Sequence, residues 1–231
     1  MKLALTFLTV LLLSPLAVVH AADSPQKPGK PNIVFIYADD WGWGDLSRHG
    51  STWLRTPHLD GLAAAGIDFG QFNVLNPVCS PSRTAVMTGQ YPARWGVHQH
   101  FAHPAQNRQR DMPDWLDPRA TTLPGLLRAA GYRTGMFGKW HLGDNYPYRP
   151  QDRGFQESIW YQSSSIPSAA GYFNNDYFDD VYQHNGVDRK FEGYTTDVFF
   201  REAKAWIRQQ AERRQPFLCY LPLAAAHRGL D

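Results

Sequence analysis

A thiol and a guanidinium group four residues apart are the first candidates for chemistry in this 231-residue chain. Cys79 and Arg83 lie within residues 77–89, Pro-Val-Cys-Ser-Pro-Ser-Arg-Thr-Ala-Val-Met-Thr-Gly. Pro81 is expected to start a helix over residues 82–88. The amide dipoles of a helix N-terminus favour an anion beside Cys79, and residues four apart share a helix face, so Arg83 could reach it. These residue types predict an anion site that contains a thiol, for which a guanidinium fork is better suited than an ammonium.

Two adjacent carboxylates form the second candidate. Asp39 and Asp40 follow residues 32–38, Asn-Ile-Val-Phe-Ile-Tyr-Ala, an apolar and β-branched run that predicts a central strand. Carboxylate oxygens are ligands for Ca²⁺ or Mg²⁺, and the following Trp-Gly-Trp-Gly would hold both side chains in a tight loop. The alternative is a solvated pair of turn residues.

A cation and an imidazole form the third candidate, within residues 138–143, Gly-Lys-Trp-His-Leu-Gly. If this segment is extended, Lys139 and His141 project on the same side of the strand. Taken alone, a Lys-x-His pair is usually an accident of the surface. A further imidazole, His227, follows an apolar segment that predicts a buried strand.

Strands alternate with helices along the chain, which is typical of an α/β fold with a mostly parallel sheet flanked by helices. Strands are predicted over residues 32–38, 67–74, 133–140 and 217–223, and helices over residues 57–65, 82–88, 122–130 and 197–210. Sites in such sheets lie in loops at the carboxyl ends of strands, so the candidates that follow three of the strands are expected to converge. A long irregular insertion is predicted over residues 143–195, near the mouth of the site.

The beginning of the chain predicts export. Lys2 precedes the apolar residues 3–13, and Val-His-Ala at residues 19–21 offers a cleavage site, so residues 1–21 are interpreted as a signal peptide and residues 22–31 as a flexible leader. No later apolar run is long enough to span a membrane. The 23 basic and 21 acidic residues are nearly balanced, which argues against a nucleic-acid partner. The absence of an Asn-x-Ser/Thr sequon favours a bacterial, periplasmic or secreted protein over a lysosomal one.

The two cysteines leave a choice. Cys219 lies in the predicted buried strand, where free cysteine is common. A disulfide between Cys79 and Cys219 is the alternative for an exported chain.

Residues 77–92 resemble the sulfatase signature, and residues 138–143 are similar to the second signature of the same family. The resemblance covers residues 31–227 and implies an alkaline-phosphatase-like catalytic domain, of the kind found in arylsulfatases and N-acetylgalactosamine-6-sulfatases. It implies that a formylglycine-generating enzyme converts Cys79 to Cα-formylglycine. It also implies a Ca²⁺ (or Mg²⁺) ion held by Asp39, Asp40 and position 79.

The resemblance further assigns roles in the hydrolysis of a sulfated small molecule or polysaccharide. The hydrated aldehyde at position 79 would attack sulfur, and Arg83 and Lys139 would hold the diol and the sulfate oxygens. His141 would then deprotonate the second hydroxyl, which expels sulfate. His227 would bind the substrate sulfate together with Lys139. A geminal diol carries its own release step, which a thiol does not.

Sulfatases complete their metal site with an Asp-Asn pair and a further Lys that lie beyond the position of His227. Residues 32–231 are therefore expected to be the N-terminal part of a catalytic domain about twice as long. Two rival functions stay open. One is a phosphoric or phosphonic monoester hydrolase of the same superfamily, and the other is an inactive exported fragment that binds glycans or is vestigial.

Overall fold

A six-stranded mixed sheet organises the computed structural model, which describes residues 29–166 and 175–227. Its strands are β1 (Ile33–Tyr37), β2 (Arg133–Lys139), β3 (Glu157–Tyr161), β4 (Val181–His184), β5 (Val187–Lys190) and β6 (Phe217–Pro222). The order across the sheet is β1-β6-β2-β3-β4-β5. Strands β1, β6, β2 and β3 are parallel to one another. Strand β4 pairs antiparallel with β3, and β5 pairs antiparallel with β4. The prediction of a mostly parallel α/β fold is confirmed. Residues 1–28, which include the predicted signal peptide and most of the predicted leader, lie outside the described residues.

Helices cover both faces of this sheet. They are α1 (Pro57–Ala65), α2 (Cys79–Thr88), α3 (Pro104–Gln109), α4 (Leu123–Ala129) and α5 (Thr195–Glu212). Alternate residues of β6 point to opposite faces, as the two-residue period of a strand requires. Phe217 and Cys219 join one apolar cluster with Trp206 of α5, whereas Leu218 and Tyr220 join a second cluster on the opposite face.

Several predicted boundaries differ from the structure by one to three residues. Helix α2 begins at Cys79 itself, so Pro81 is its third residue rather than its first. Strand β2 ends at Lys139 instead of residue 140, and α5 extends beyond residues 197–210 at both ends. No helix in the described ranges is long and apolar enough to cross a membrane.

Two predicted elements are wrong. Residues 67–74 form an exposed, irregular segment with a turn at residues 70–71, not a strand. A strand needs a neighbour for its backbone hydrogen bonds, and within the described residues this segment pairs with none. The predicted irregular insertion over residues 143–195 instead contains β3, β4 and β5. Strand β3 is fixed by its pairing with β2, a contact that local composition does not encode.

Strand β1 is an edge strand with an apolar outer face. Val34 and Ile36 are 51% and 47% exposed. The exposed segment that begins at Ile67 continues this surface, and together they line an apolar groove of about 970 Å³. Among the described residues, no strand pairs with the outer edge of β1.

A glycine fixes the contact between β2 and β6. Gly138 has φ +138°, and a Cβ atom there would overlap the backbone carbonyl of Pro222 on β6. We expect Gly138→Ala to lower the free energy of unfolding by about 3 kcal/mol or more, because the strands must separate to admit the methyl group. Gly61→Ala is the matched control, since Gly61 lies in α1 with open space around it, and alanine is the better helix former. Equal urea midpoints for the two variants would contradict this account of the strand contact.

Candidate active site

Three adjacent parallel strands deliver the candidate residues to one edge of the sheet. Asp39 and Asp40 follow β1, Lys139 ends β2, and His227 follows β6, which lies between those two strands. The Asp39 amide donates a hydrogen bond to the Ala225 carbonyl (3.0 Å), which joins the loops after β1 and β6. The topology therefore brings together groups that are about 100 to 190 residues apart in sequence, as expected for parallel strands.

A buried ion cluster forms the centre of the site. The Lys139 ammonium donates to Asp39 Oδ2 (2.5 Å), and Arg83 Nη2 donates to the same oxygen (3.3 Å). The side chains of Lys139, Arg83 and Asp39 are only 0%, 2% and 8% exposed. Burial raises the pKa of Asp39, but the two cations outweigh it, so the pKa lies below its ordinary value. Two cations share one carboxylate, so the cluster retains positive charge that can attract an anion.

Helix α2 holds Arg83 and the thiol on one side of this cluster. Arg83 Nη1 donates to the Lys139 carbonyl (2.6 Å), and Arg83 Nε is buried with no hydrogen-bond partner among the described residues. Cys79 lies one turn earlier, at the first position of the helix, and is a free, partly buried cysteine. Cys79, Arg83, Asp39 and Asp40 line one cavity of about 240 Å³. The thiol, the guanidinium group and both carboxylates thus face the same space.

His141 lies just beyond β2 with φ +53°, an unusual conformation for a residue other than glycine. Its Nε2 atom lies 3.0 Å from the Phe101 carbonyl, which can only accept, so Nε2 carries the proton. Its Nδ1 atom is buried and has no partner within residues 29–166 and 175–227. Burial, aided by the nearby Lys139 cation, lowers the pKa of His141 to about 3. His141 is therefore a neutral imidazole with a free acceptor nitrogen.

Asp40 and His227 lie at the rim. The Asp40 carboxylate is 56% exposed, and its Oδ2 atom is 3.8 Å from His227 Nε2. Burial, together with the Lys139 cation, lowers the pKa of His227 below its ordinary value. His227 is thus close enough to the ion cluster to feel its charge.

Asp39 and Asp40 are the candidate ligands for a hard cation. Asp39 and Asp40 line the cavity as adjacent carboxylates, which is the donor chemistry that Ca²⁺ and Mg²⁺ prefer. No group of three or more His, Cys, Asp or Glu side chains in the described parts of the chain is placed to hold a metal ion. Ca²⁺ takes about six to eight oxygen ligands. The two carboxylates therefore fit such an ion as part of its coordination shell.

One residue near this cluster belongs to none of the motifs in the sequence. His100 lines a second cavity together with His141. Burial, together with the Arg110 and Lys139 cations, lowers the pKa of His100, so the imidazole lies within electrostatic range of Lys139. No motif surrounds His100, so only the folded chain reveals this proximity.

The buried imidazole of His141 predicts a pH dependence of stability. An unfolded histidine binds a proton below pH 6.5, whereas folded His141 resists protonation down to a pKa of about 3. The unfolded state therefore gains protons first, and stability falls as the pH drops from about 6.5 to about 3. We expect His141→Gln, which keeps a donor for the Phe101 carbonyl, to remove this part of the slope. Urea unfolding of both proteins at pH 7.5 and 5 checks it, and parallel losses of stability would contradict it.

The chain is similar to known proteins over most of its length. The family model described as Sulfatase matches residues 31–231. N-acetylgalactosamine-6-sulfatase of Mus musculus is 36% identical over 229 residues, which cover 94% of this chain and 43% of that protein. The chain therefore spans less than half the length of this curated relative.

In solved structures too, the matched region covers most of this chain but less than half of the other chain. The crystal structure of Ps i-CgsB in complex with k-i-k-neocarrahexaose has a TM-score of 0.75 at 32% identity, covering 87% of this chain and 46% of that one. The structure of BT4656 in complex with its substrate D-glucosamine-2-N,6-O-disulfate has a TM-score of 0.69 at 26% identity, covering 86% and 35%.

Proposed function

Because the chain belongs to the sulfatase family, we propose that it provides the nucleophile-bearing part of a sulfuric ester hydrolase. The substrate is a sulfated carbohydrate or aryl ester, and the products are sulfate and the free alcohol. The observation that carries this proposal is the buried cluster of Arg83, Lys139 and Asp39 beside Cys79. Cationic donors held rigidly in a dry site stabilise the charge that develops on sulfuryl oxygens.

The proposal includes one modified residue and one metal ion. Cα-formylglycine, made from Cys79 by a formylglycine-generating enzyme, would supply the oxygen nucleophile. A Ca²⁺ (or Mg²⁺) ion, held in part by Asp39, Asp40 and position 79, would supply positive charge beside it. Support comes from Cys79 at the start of α2, where helix amides favour an anion, and from the two carboxylates that line the same cavity.

The side chains around position 79 have distinct tasks. Arg83 and Lys139 hold sulfuryl oxygens, and the unpartnered Arg83 Nε is a donor available for one of them. His141 takes a proton at Nδ1, because its Nε2 proton is committed to the Phe101 carbonyl. The low pKa of His141 keeps Nδ1 unprotonated before the reaction. His227, at the rim beside Asp40, binds the sulfate from the solvent side.

The proposal includes export to the periplasm or the medium. Its support is the sequence pattern of residues 1–21, which lie outside the described part of the chain.

Turnover of matched esters tests the proposed reaction. We expect the complete catalytic domain that contains this part to hydrolyse 4-nitrophenyl sulfate with a larger kcat/KM than 4-nitrophenyl phosphate or phenyl phosphonate esters. We expect Cys79→Ala to abolish this turnover, because no nucleophile can then form at position 79. The control is Cys219→Ala, since Cys219 is a free, buried cysteine of β6 that lies outside the site. A Cys79→Ala variant that retains turnover would refute the assignment, and a preference for the phosphorus esters would support the rival hydrolase.

A further inference from the structure

The backbone of Phe101 joins two parts of the proposed reaction site. Its carbonyl accepts the Nε2 proton of His141 (3.0 Å), and its amide donates a hydrogen bond to Ser80 Oγ (3.0 Å). Ser80 is the residue after position 79 in α2, and His141 follows β2. All three residues are buried. Phe101 therefore connects the start of α2 to the imidazole that is proposed to act as a base.

Asn107, in α3, holds the next residue of this backbone on both sides. Asn107 Oδ1 accepts a hydrogen bond from the Ala102 amide (2.9 Å), and Nδ2 donates to the Ala102 carbonyl (2.9 Å) and to Asp114 Oδ1 (3.0 Å). The Asn107 side chain is fully buried, and both of its donor hydrogens are used. Because a carboxylate oxygen can only accept, Asp114 faces Nδ2 and so leaves Oδ1 facing the Ala102 amide.

The planarity of the peptide bond connects Asn107 to His141. The Phe101 carbonyl and the Ala102 amide belong to the same peptide unit, whose atoms lie close to one plane. Asn107 holds the N–H side of this unit, and His141 binds its C=O side. A rotation that took the carbonyl away from His141 would also break the hydrogen bond between the Ala102 amide and Asn107. Hydrogen bonds at both ends of the unit also polarise it, so each strengthens the other.

We propose that Asn107 is a positioning residue for the proton transfer assigned to His141. By holding the peptide between Phe101 and Ala102, it keeps the His141 proton on Nε2 and leaves Nδ1 free to accept a proton. The buried Nδ1 atom has no partner among the described residues, so the Phe101 carbonyl selects the tautomer. The inference rests on the proposed function, because it assigns Asn107 to the base step of that reaction.

The tautomer of His141 is a readout that does not depend on turnover. In the complete catalytic domain, with histidine isotope-labelled at its ring nitrogens, NMR distinguishes a protonated nitrogen from an unprotonated one. His141→Gln identifies the signals of His141. We expect the unsubstituted protein to have a protonated Nε2 and an unprotonated Nδ1. We expect Asn107→Ala to move both signals towards the average of the two tautomers.

Asp114→Ala is a second variant that keeps the inference testable where Asn107→Ala does not fold. Asp114 is only half-buried and lies outside α3, so its loss disturbs the core less. Without the carboxylate, the Asn107 amide can turn over and present Nδ2 to the Ala102 amide, which it cannot hold. We expect the His141 signals to move in the same direction as in Asn107→Ala. Circular dichroism verifies the fold of each variant.

Kinetics with 4-nitrophenyl sulfate supply a second readout. We expect Asn107→Ala to lower kcat by about tenfold, because a displaced base accepts the proton less efficiently. His141 acts in the later step that expels sulfate, so kcat/KM, which reports the steps up to release of 4-nitrophenol, should stay within about twofold. A general loss of structure would lower both quantities.

Asn185→Ala is the matched control. The Asn185 side-chain oxygen likewise accepts a hydrogen bond from a backbone amide, that of Ser158 (2.8 Å). Asn185 lies in the turn between β4 and β5, outside the site. We expect the tautomer of His141 and kcat to be the same in this variant as in the unsubstituted protein.

The outcomes separate this inference from the proposed function. A folded Asn107→Ala or Asp114→Ala protein with unchanged His141 signals would overturn the role of Asn107, as would a normal kcat in Asn107→Ala. If the unsubstituted catalytic domain does not hydrolyse 4-nitrophenyl sulfate, the proposed function fails. The NMR signals would still decide whether Asn107 sets the tautomer of His141.

Discussion

In the complete catalytic domain, replacing Arg83 by alanine is expected to lower kcat/KM for a sulfate ester by about 1,000-fold, or ~4 kcal/mol of transition-state stabilisation. Arg83 is a fully buried cation whose Nη1 and Nη2 atoms are fixed by Lys139 and Asp39, while its Nε atom remains without a partner among the described residues. Such a preorganised donor pays no reorganisation cost when charge develops on the sulfuryl oxygens. Steady-state kinetics with 4-nitrophenyl sulfate measure the effect.

Two further variants act as controls. One distinguishes the charge of Arg83 from the geometry of its guanidinium group, and the other measures the effect of losing an arginine elsewhere. Arg83→Lys retains the charge but loses the planar fork, so we expect an intermediate loss of kcat/KM. Arg119→Ala removes an exposed arginine that pairs with Asp117 at the surface, and activity should be unchanged. All variants are assayed at urea concentrations far below the midpoints of their unfolding transitions, so that each protein is folded during the assay. An Arg83→Ala protein that is folded and turns over substrate near the normal rate would refute the role given to Arg83.

Replacing Asp39 by asparagine is expected to lower the free energy of unfolding by about 3–5 kcal/mol. Asp39 is the carboxylate shared by Lys139 and Arg83, and removal of its charge leaves two buried cations facing each other. Their mutual repulsion already appears in Lys139, whose pKa is lowered by burial and by Arg83. Urea unfolding at pH 7 with a chelator present measures this effect without any contribution from a bound divalent ion.

Asp40→Asn is the matched control for this prediction. Asp40 is the neighbouring carboxylate on the same loop, but it is 56% exposed, and its contact with His227 spans 3.8 Å. We expect a change within about 0.5 kcal/mol, as for other exposed positions. Equal losses of stability for the two variants would show that the buried ion cluster does not contribute in the way proposed.

The sequence was sufficient to predict that the candidate residues converge at one edge of the sheet. The apolar runs that end at or shortly before Asp39, Lys139 and His227 are recognisable as strands, and parallel strands end at a common edge. The prediction of convergence therefore needed only local patterns and one rule of topology. The signature around Cys79 supplied the link to chemistry, because a 13-residue pattern carries far more information than a single charged pair.

The sequence could not predict contacts that depend on packing between distant segments. The ion pair between Asp39 and Lys139 joins residues 100 positions apart. The cavity that His100 and His141 share depends on the packing of the segment around Phe101 against the segment that follows β2. Strand β3 was missed for the same reason, since its identity comes from pairing with β2. Residues 67–74 show the converse, because an apolar run does not become a strand without a neighbour to pair with.

The mass of the tryptic peptide that spans residues 56–83, taken from protein purified from its native host, tests the central claim most directly. This peptide contains Cys79 and is bounded by cleavage after Arg55 and Arg83. We predict a species about 18 Da lighter than the thiol form, the difference expected for conversion of cysteine to formylglycine. A peptide found only with an intact thiol, or joined by a disulfide to Cys219, would contradict the claim that position 79 supplies the nucleophile.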